Sequence, residues 1–332
     1  MIVSHDTIIV KKMTPPYQIT NSILQLIASV SEKIGAINAT HLQKAPATLR
    51  KTNRIKTIQS SLEIEGNTLT EEQVTAILNN KRILAPQKDI LEVKNAIALY
   101  DAIQEFKPNS QTSFLKAHKI LMQGLIAAPG KIRNTGVGIV NGSKIAHIAP
   151  PGQMVKPLLN ELFTYLKSNK DLPLIKSCVF HYEIEFIHPF IDGNGRMGRF
   201  WQTIILKEHY PIFEFLPIEA VVKKRQQDYY KALSIADKSG NSTVFIEFML
   251  TVIEETLNEL SLNQLVPIKG KDRITQFAAF IKGASFSRKI YLAHFKNISV
   301  ATASRDLKEA VEAGILKKGG DKNTSVYKFK KT

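Results

Sequence analysis

The chain comprises 332 residues, 44% of them hydrophobic, with 45 Lys and Arg against 29 Asp and Glu, a net charge of +16. That is enough apolar chain to bury a large core in two or three units, while the single cysteine, Cys178, excludes an intrachain disulfide. No apolar run approaches the ~20 residues that cross a bilayer, and Ile8-Ile9-Val10 meets Lys11-Lys12 at once, unlike a secretory leader; the expectation is a cytoplasmic protein of a reducing compartment, with no membrane contact.

Residues 1–90 read as helices joined by polar turns. One helix closes at Ser60-Ser61-Leu62-Glu63-Ile64-Glu65-Gly66-Asn67: Gly66 suits the left-handed position just past a helix end, and Asn67 suits the turn beyond. A Thr70-Glu71-Glu72-Gln73 capping box opens the next helix. Glu65 therefore stands at a helix end beside a tight turn, where its carboxylate can reach another element. A helix is predicted from Ile90 to Glu105, and an amphipathic one around Phe114–Leu121 carries His118, expected as a satisfied packing residue. Asn141-Gly142 between two short β-prone runs signals a hairpin whose second strand is Ile145, Ala146, His147 and Ile148.

An apolar helix with Cys178, His181 and Glu185 then leads into His188-Pro189-Phe190-Ile191-Asp192-Gly193-Asn194-Gly195-Arg196-Met197-Gly198-Arg199. Cys178 is expected to pack as a small hydrophobe. Two histidines seven residues apart, His181 and His188, lack the compact spacing of helical zinc sites. The Asp-Gly-Asn-Gly turn feeds a helix, whose first N–H groups lack intrahelical partners and whose dipole favours anions. Gly193 and Gly195 allow the backbone close approach to a phosphate. Arg196 and Arg199, three apart, share one helix face and can grip one polyphosphate. Asp192 is an oxygen ligand suited to Mg²⁺, and His188 is of the residue type that removes a hydroxyl proton near neutrality.

This segment resembles the signature of Fic domains, His-x-Phe-x-(Asp/Glu)-Gly-Asn-Gly-Arg-x-x-Arg, and meets every defined position through His188, Phe190, Asp192, Gly193, Asn194, Gly195, Arg196 and Arg199. The resemblance implies a mainly α protein, a Fic-type helical core with a short β-hairpin flap. It also implies transfer of AMP from ATP to a Ser, Thr or Tyr hydroxyl of a target protein, with self-modification, homo-oligomerisation and transfer of UMP, phosphate or phosphocholine left open. In that reading His188 is the base, Asp192 holds Mg²⁺, Asn194 orients the α-phosphate, and Arg196 and Arg199 hold the outer phosphates. Ser61-x-x-x-Glu65-Gly66 resembles the family's inhibitory helix, which implies that Glu65 pairs with Arg199; the same carboxylate could instead serve AMP removal. The hairpin strand 145–148 would dock an extended target segment. Lys224-Arg225-Gln226-Gln227-Asp228-Tyr229-Tyr230 resembles the helix walling the adenine side, with Tyr230 at the base, Tyr229 in the core, and Asp237 where relatives carry Asn.

The charge is uneven: residues 1–57 carry +6, residues 58–266 are balanced, and residues 267–332 carry +10. After a linker at 265–271, helices are predicted at 274–281, 287–294 and 299–314, then a hairpin with Lys317, Lys318 and Lys322. This order resembles a winged helix-turn-helix module, which implies DNA or protein contact by residues 267–332. The expected organisation is 1–90 as an N-terminal helical region, 91–264 as the catalytic core and 265–332 as the winged-helix-like domain. An alternative function is a DNA-binding regulator whose core only senses nucleotide.

Overall fold

A computed structural model describes residues 15–39, 47–136, 138–141, 144–168, 170–264, 270–281, 283–295, 298–321 and 325–330, with the backbone alone for 138–141, 144–148, 261–264 and 279. The chain forms two units, Met1–Leu260 and Ser261–Thr332.

The first unit is built from α1 (Asn21–Ala39), α2 (Ala47–Ile64), α3 (Glu71–Leu78), α4 (Gln87–Asp101), α5 (Gln111–Leu121), the strands β1 (Gly138–Asn141) and β2 (Lys144–Ile148), α6 (Gly152–Lys167), α7 (Pro173–Ile187), α8 (Asn194–His209), α9 (Ile218–Lys224), α10 (Gln226–Ser239) and α11 (Thr243–Gln264). A helix that is apolar on every face must be central, and α7 is: Leu174, Cys178, Val179, Phe180, His181 and Ile184 are all buried. Its main neighbour is α8. There Trp201, wholly buried, meets Phe114 and Phe180 and donates through Nε1 to the Pro108 carbonyl at 2.9 Å.

Residues on both sides of position 90 fall in this one unit. Helix α2 packs against α9, α3, α4 and α8, and its Ile58 and Leu62 join the same hydrophobic core as Phe200 and Val222. Apolar spacing along α2 could not reveal which helices would cover it. The turn after α2 forms as the sequence requires. Gly66 has φ +92°, the Asn67 N–H reaches the Leu62 carbonyl at 3.1 Å, and the Gly66 N–H reaches that of Glu63 at 3.0 Å, the paired bonds of a Schellman end. The Thr70–Gln73 capping box opens α3.

The second unit contains α12 (Gly270–Ile281), the short strand β3 (Phe286–Ser287), α13 (Arg288–His294), α14 (Val300–Glu312), β4 (Leu316–Gly319) and β5 (Val326–Phe329), with the strands in antiparallel order β3-β5-β4. Ser287 and Ser299 cap α13 and α14 through their hydroxyls, and Gly314, φ +73°, follows the end of α14. The sequence reading missed β3, because two residues are too few for an alternating pattern. Phe277, Phe286, Tyr291 and Leu307 form a separate core. Beside it Arg273 grips Asp306 through two bonds of 2.6 and 2.8 Å, both side chains buried. Residues 265–269 of the expected linker and Lys322 lie outside the described residues, while Gly270 and Lys271 already belong to α12.

Candidate active site

Helix α7 cannot run through Pro189, because a residue before proline is disfavoured in the helical region. The chain turns at His188, which is left-handed with φ +50°. His188 Nδ1 lies 3.4 Å from the Glu185 carbonyl, which can only accept. In the tautomer with the proton on Nδ1, donated to that carbonyl, the lone pair of this half-buried ring is on Nε2.

The loop that follows is held by side chains rather than by regular structure. Asn194 accepts the Phe190 N–H on Oδ1 and donates Nδ2 to the Phe190 carbonyl, both at 2.9 Å. It is buried, and its amide shapes the loop, a role the sequence reading did not include. His118, beneath the loop, takes the Gly130 N–H on Nδ1 at 2.8 Å; Nε2 then carries the proton and donates to the Asp192 carbonyl at 2.9 Å. Burial pushes its pKa down to about 4, and its ring stacks on Phe190 at 3.5 Å. It is a satisfied packing residue, as its helix suggested, and it also fixes the motif loop. Gly193, φ +86°, is strained for any larger residue, and a Cβ there, 2.8 Å from Met122 Sδ, would force that side chain to shift.

Two residues important here carried no sequence signal. Arg133, buried, donates Nε to the His188 carbonyl at 2.6 Å and Nη2 to the carbonyls of Ile187 at 3.0 Å and Pro150 at 2.8 Å; its Nη1 reaches the Thr135 carbonyl at 2.5 Å. It joins the end of α7 to both approaches of the hairpin. Glu92 on α4 binds Arg196 Nη1 at 3.2 Å. Arg196 is buried and its Nη2 also holds Asp192 Oδ1 at 3.0 Å, an arrangement the sequence expectation of phosphate contact did not include. The Gly193 N–H reaches the same Oδ1 at 2.6 Å.

Arg199 is buried as well, and α2 takes its guanidinium: Nε donates to Ser61 Oγ at 3.2 Å, and Nη2 to the Ser61 carbonyl at 3.0 Å and Glu65 Oε1 at 2.6 Å. Burial works against its charge, but Glu65, Tyr229 and Glu185 around it raise its pKa above the ordinary value. Behind it, burial pushes Glu185 up to about 7 against the pull of Arg199, and pushes His181 down to about 3. His181 Nδ1 faces Gln202 Oε1 at 2.8 Å and so carries the proton. The Tyr229 hydroxyl lies 3.0 Å from both His181 Nε2 and Glu185 Oε1. One hydroxyl proton cannot serve two acceptors, so all three groups are satisfied when Glu185 is protonated. Among the described residues no group of three or more His, Cys, Asp or Glu is placed to hold a metal ion.

Strand β2, with Ile145, Ala146, His147 and Ile148, pairs antiparallel with β1, its register shifting between Ile139 and Val140, and lies beside α10. Residues 142 and 143 of the expected turn, and the side chains along β2, lie outside the described residues. On α10, Tyr229 is buried while Tyr230 stays 41% exposed. The Tyr230 hydroxyl and Gln226 Nε2 both donate to the Ile64 carbonyl, at 3.4 and 3.1 Å. Asp237, half-buried, accepts the Tyr182 hydroxyl at 3.0 Å.

The arrangement joins the His188 ring, the half-exposed Asp192 carboxylate and the N-terminus of α8 within one loop. The Fic/DOC family model matches residues 108–206. A Fic family protein from Desulfovibrio desulfuricans G20 is 38% identical, with a TM-score of 0.75 over 96% of this chain and 99% of that one. The chain belongs to the Fic family. Fic-1 of C. elegans shares the fold at a TM-score of 0.60 and 20% identity, over 74% of each chain. Among curated relatives, proteins named protein adenylyltransferase Fic are 28% identical in Drosophila grimshawi, over 70% of this chain and 48% of theirs, and 28% identical in Nematostella vectensis, over 77% and 60%. The chain thus spans about half the length of the Drosophila relatives it matches. The Fic model takes in the loop from His188 to Arg199 and its supports His118 and Arg133, while α2, α4, α10 and the second unit lie outside it.

Proposed function

We propose that this Fic protein is an autoinhibited protein adenylyltransferase, transferring AMP from ATP to a target hydroxyl. The observation that carries the reading is the pairing of an intact motif loop with the Glu65–Arg199 contact of 2.6 Å. The name borne by the curated relatives supports the activity. His188 Nε2 takes the proton of the target Ser, Thr or Tyr hydroxyl, whose oxygen forms a bond to the α-phosphorus as the bond to pyrophosphate breaks. The N–H groups at the start of α8 face the charge that grows on the phosphate oxygens. Asp192 suits Mg²⁺: its side chain is 47% exposed, and only Oδ1 has protein hydrogen bonds among the described residues. Mg²⁺ characteristically takes one or two carboxylates plus substrate phosphates, and neutralises charge on those phosphates. Tyr230 offers an exposed ring for the adenine, with Asp237 seven residues further along α10, and β2 offers a strand edge to an extended target.

Glu65 acts as the brake in this reading, occupying the guanidinium that would otherwise hold an outer phosphate. Glu65→Gly is expected to raise incorporation of labelled AMP about 10- to 100-fold, since a hydrogen bond to a charged group is worth about 1.5–3 kcal/mol. Incorporation equal to wild type would remove the regulatory claim. If Glu65 instead serves AMP removal, the variant loses the ability to strip AMP from a modified target.

The second unit supports a further reading, as a winged-helix module contacting duplex DNA. Arg288, Lys289, Arg305, Lys317, Lys318 and Lys328 are exposed, while Asp306 is buried against Arg273. Full-length protein is expected to retard random duplex at low salt, with an affinity that falls steeply as salt rises, and Arg305→Ala with Lys317→Ala is expected to weaken it. Absence of retardation at low salt leaves protein contact as the reading of this unit.

A further inference from the structure

Arg196 does not lie open in the anion cradle; it is 4% exposed, with Nη1 on Glu92 and Nη2 on Asp192. Its Nε is buried and has no hydrogen-bond partner. Glu92 belongs to α4, outside the motif, and is itself buried. Its second oxygen accepts Asn67 Nδ2 at 2.8 Å. Asn67 is the residue after Gly66 in the turn that ends α2, and its Oδ1 takes the Leu69 N–H at 3.1 Å. Lys88, the other cation near Glu92, is exposed and 4.0 Å away. A continuous polar chain, Asn67–Glu92–Arg196–Asp192, thus runs from the turn behind the brake to the exposed carboxylate of the motif loop.

We propose that Glu92 is a positioning residue of this site: it anchors Arg196 in the protein so that Asp192 keeps one oxygen for a divalent cation, and Asn67 ties that setting to the turn behind Glu65. The inference rests on the reading of Asp192 as the cation ligand. The physical reason is competition. A buried guanidinium needs a counter-charge, and Arg196 has two carboxylates in reach. With Glu92 present, it is balanced from the interior and touches Asp192 through one oxygen. Without Glu92, the whole counter-charge must come from Asp192, and Arg196 then competes with the cation for the same carboxylate. Glu92 would in this way set cation affinity without touching cation or nucleotide. The Glu65–Arg199 contact is separate from this chain, involving neither Glu92 nor Arg196.

The test measures ATP affinity by calorimetry with and without Mg²⁺, in the Glu65→Gly protein and with Glu92→Gln added. The expected result is that E92Q cuts the gain in affinity given by Mg²⁺ several-fold and leaves affinity for ATP alone unchanged. Adding Asp192→Asn should abolish the gain and make E92Q silent, a non-additivity that separate sites do not show. An unchanged Mg²⁺ gain in folded E92Q, or an equal loss of affinity with and without Mg²⁺, overturns the proposal. Should E92Q fail to fold, Asn67→Ala removes the other partner of Glu92; a smaller cut in the gain supports the proposal, and no cut overturns it. Failure of the transferase reading looks different, because Mg²⁺·ATP then binds in the expected order across the variants while no AMP is transferred.

Discussion

Replacement of His188 is expected to reduce AMP transfer about 100- to 10,000-fold, the range that a positioned general base contributes. The measurement is best made on the Glu65→Gly protein, where the basal rate is high enough to follow its loss. The choice of residue matters, because His188 is left-handed at φ +50°. Alanine is disfavoured there, whereas asparagine, like histidine, is among the residues enriched in that region. His188→Asn therefore removes the base while keeping the turn. ATP affinity should stay within about two-fold of the parent in this variant, since the anion cradle proposed at Gly193, Asn194 and Gly195 does not include His188, and Asn194 is locked to Phe190 independently of it. A transfer rate unaffected by H188N would contradict the mechanism. A rate lost together with ATP binding would assign His188 to the architecture of the loop instead.

The site was legible where its chemistry is local in the chain. From His188 to Arg199 the residue types, their spacing and the glycine turns are set within twelve consecutive positions, and the Gly66 turn and Thr70 capping box are just as local. What the sequence could not supply are partners brought in from afar. Arg133 meets the His188 carbonyl across 55 positions, and Glu92 meets Arg196 across 104. Neither lies in a pattern: Arg133 sits in an irregular loop, and one buried charge on the helix of Glu92 has no periodicity to announce it. The same gap explains why the bonds of Asn194 to Phe190 and of Arg196 to Glu92 were not foreseen. Motif spacing says which residues cluster, but whether a polar group faces ligand or backbone depends on what else is buried nearby. The fold shows this at larger scale: helices and caps followed from periodicity and capping chemistry, whereas the merging of α2 into the core of α7 and α8 depended on packing that periodicity does not encode.

Arg133 gives the sharpest consequence of those distant partners. Its guanidinium serves four carbonyls, those of Ile187 and His188 at the end of α7 and those of Thr135 and Pro150 flanking the hairpin. Among the described residues no carboxylate shares it, so the helix-end carbonyls are its counter-charge, as cations favour a helix C-terminus. Burial alone lowers its pKa from the ordinary arginine value. Arg133→Met keeps much of the volume but leaves those carbonyls without their donor. At about 1.5–3 kcal/mol for a hydrogen bond to a charged group, with partial rescue by water, the expected loss is about 3 kcal/mol, or roughly 6–12 °C in Tm for a unit of this size. The effect on transfer should exceed what stability explains. Both His188 and the hairpin lose the tether that fixes one against the other, and a misplacement of ~1 Å costs about 100-fold. Arg133→Lys, which can satisfy only part of the set, is expected to recover most of the stability and little of the rate. That split between melting and kcat is the discriminating observation: a role confined to stability predicts that lysine restores both, and a variant R133M that melts and transfers like its parent would refute the assignment.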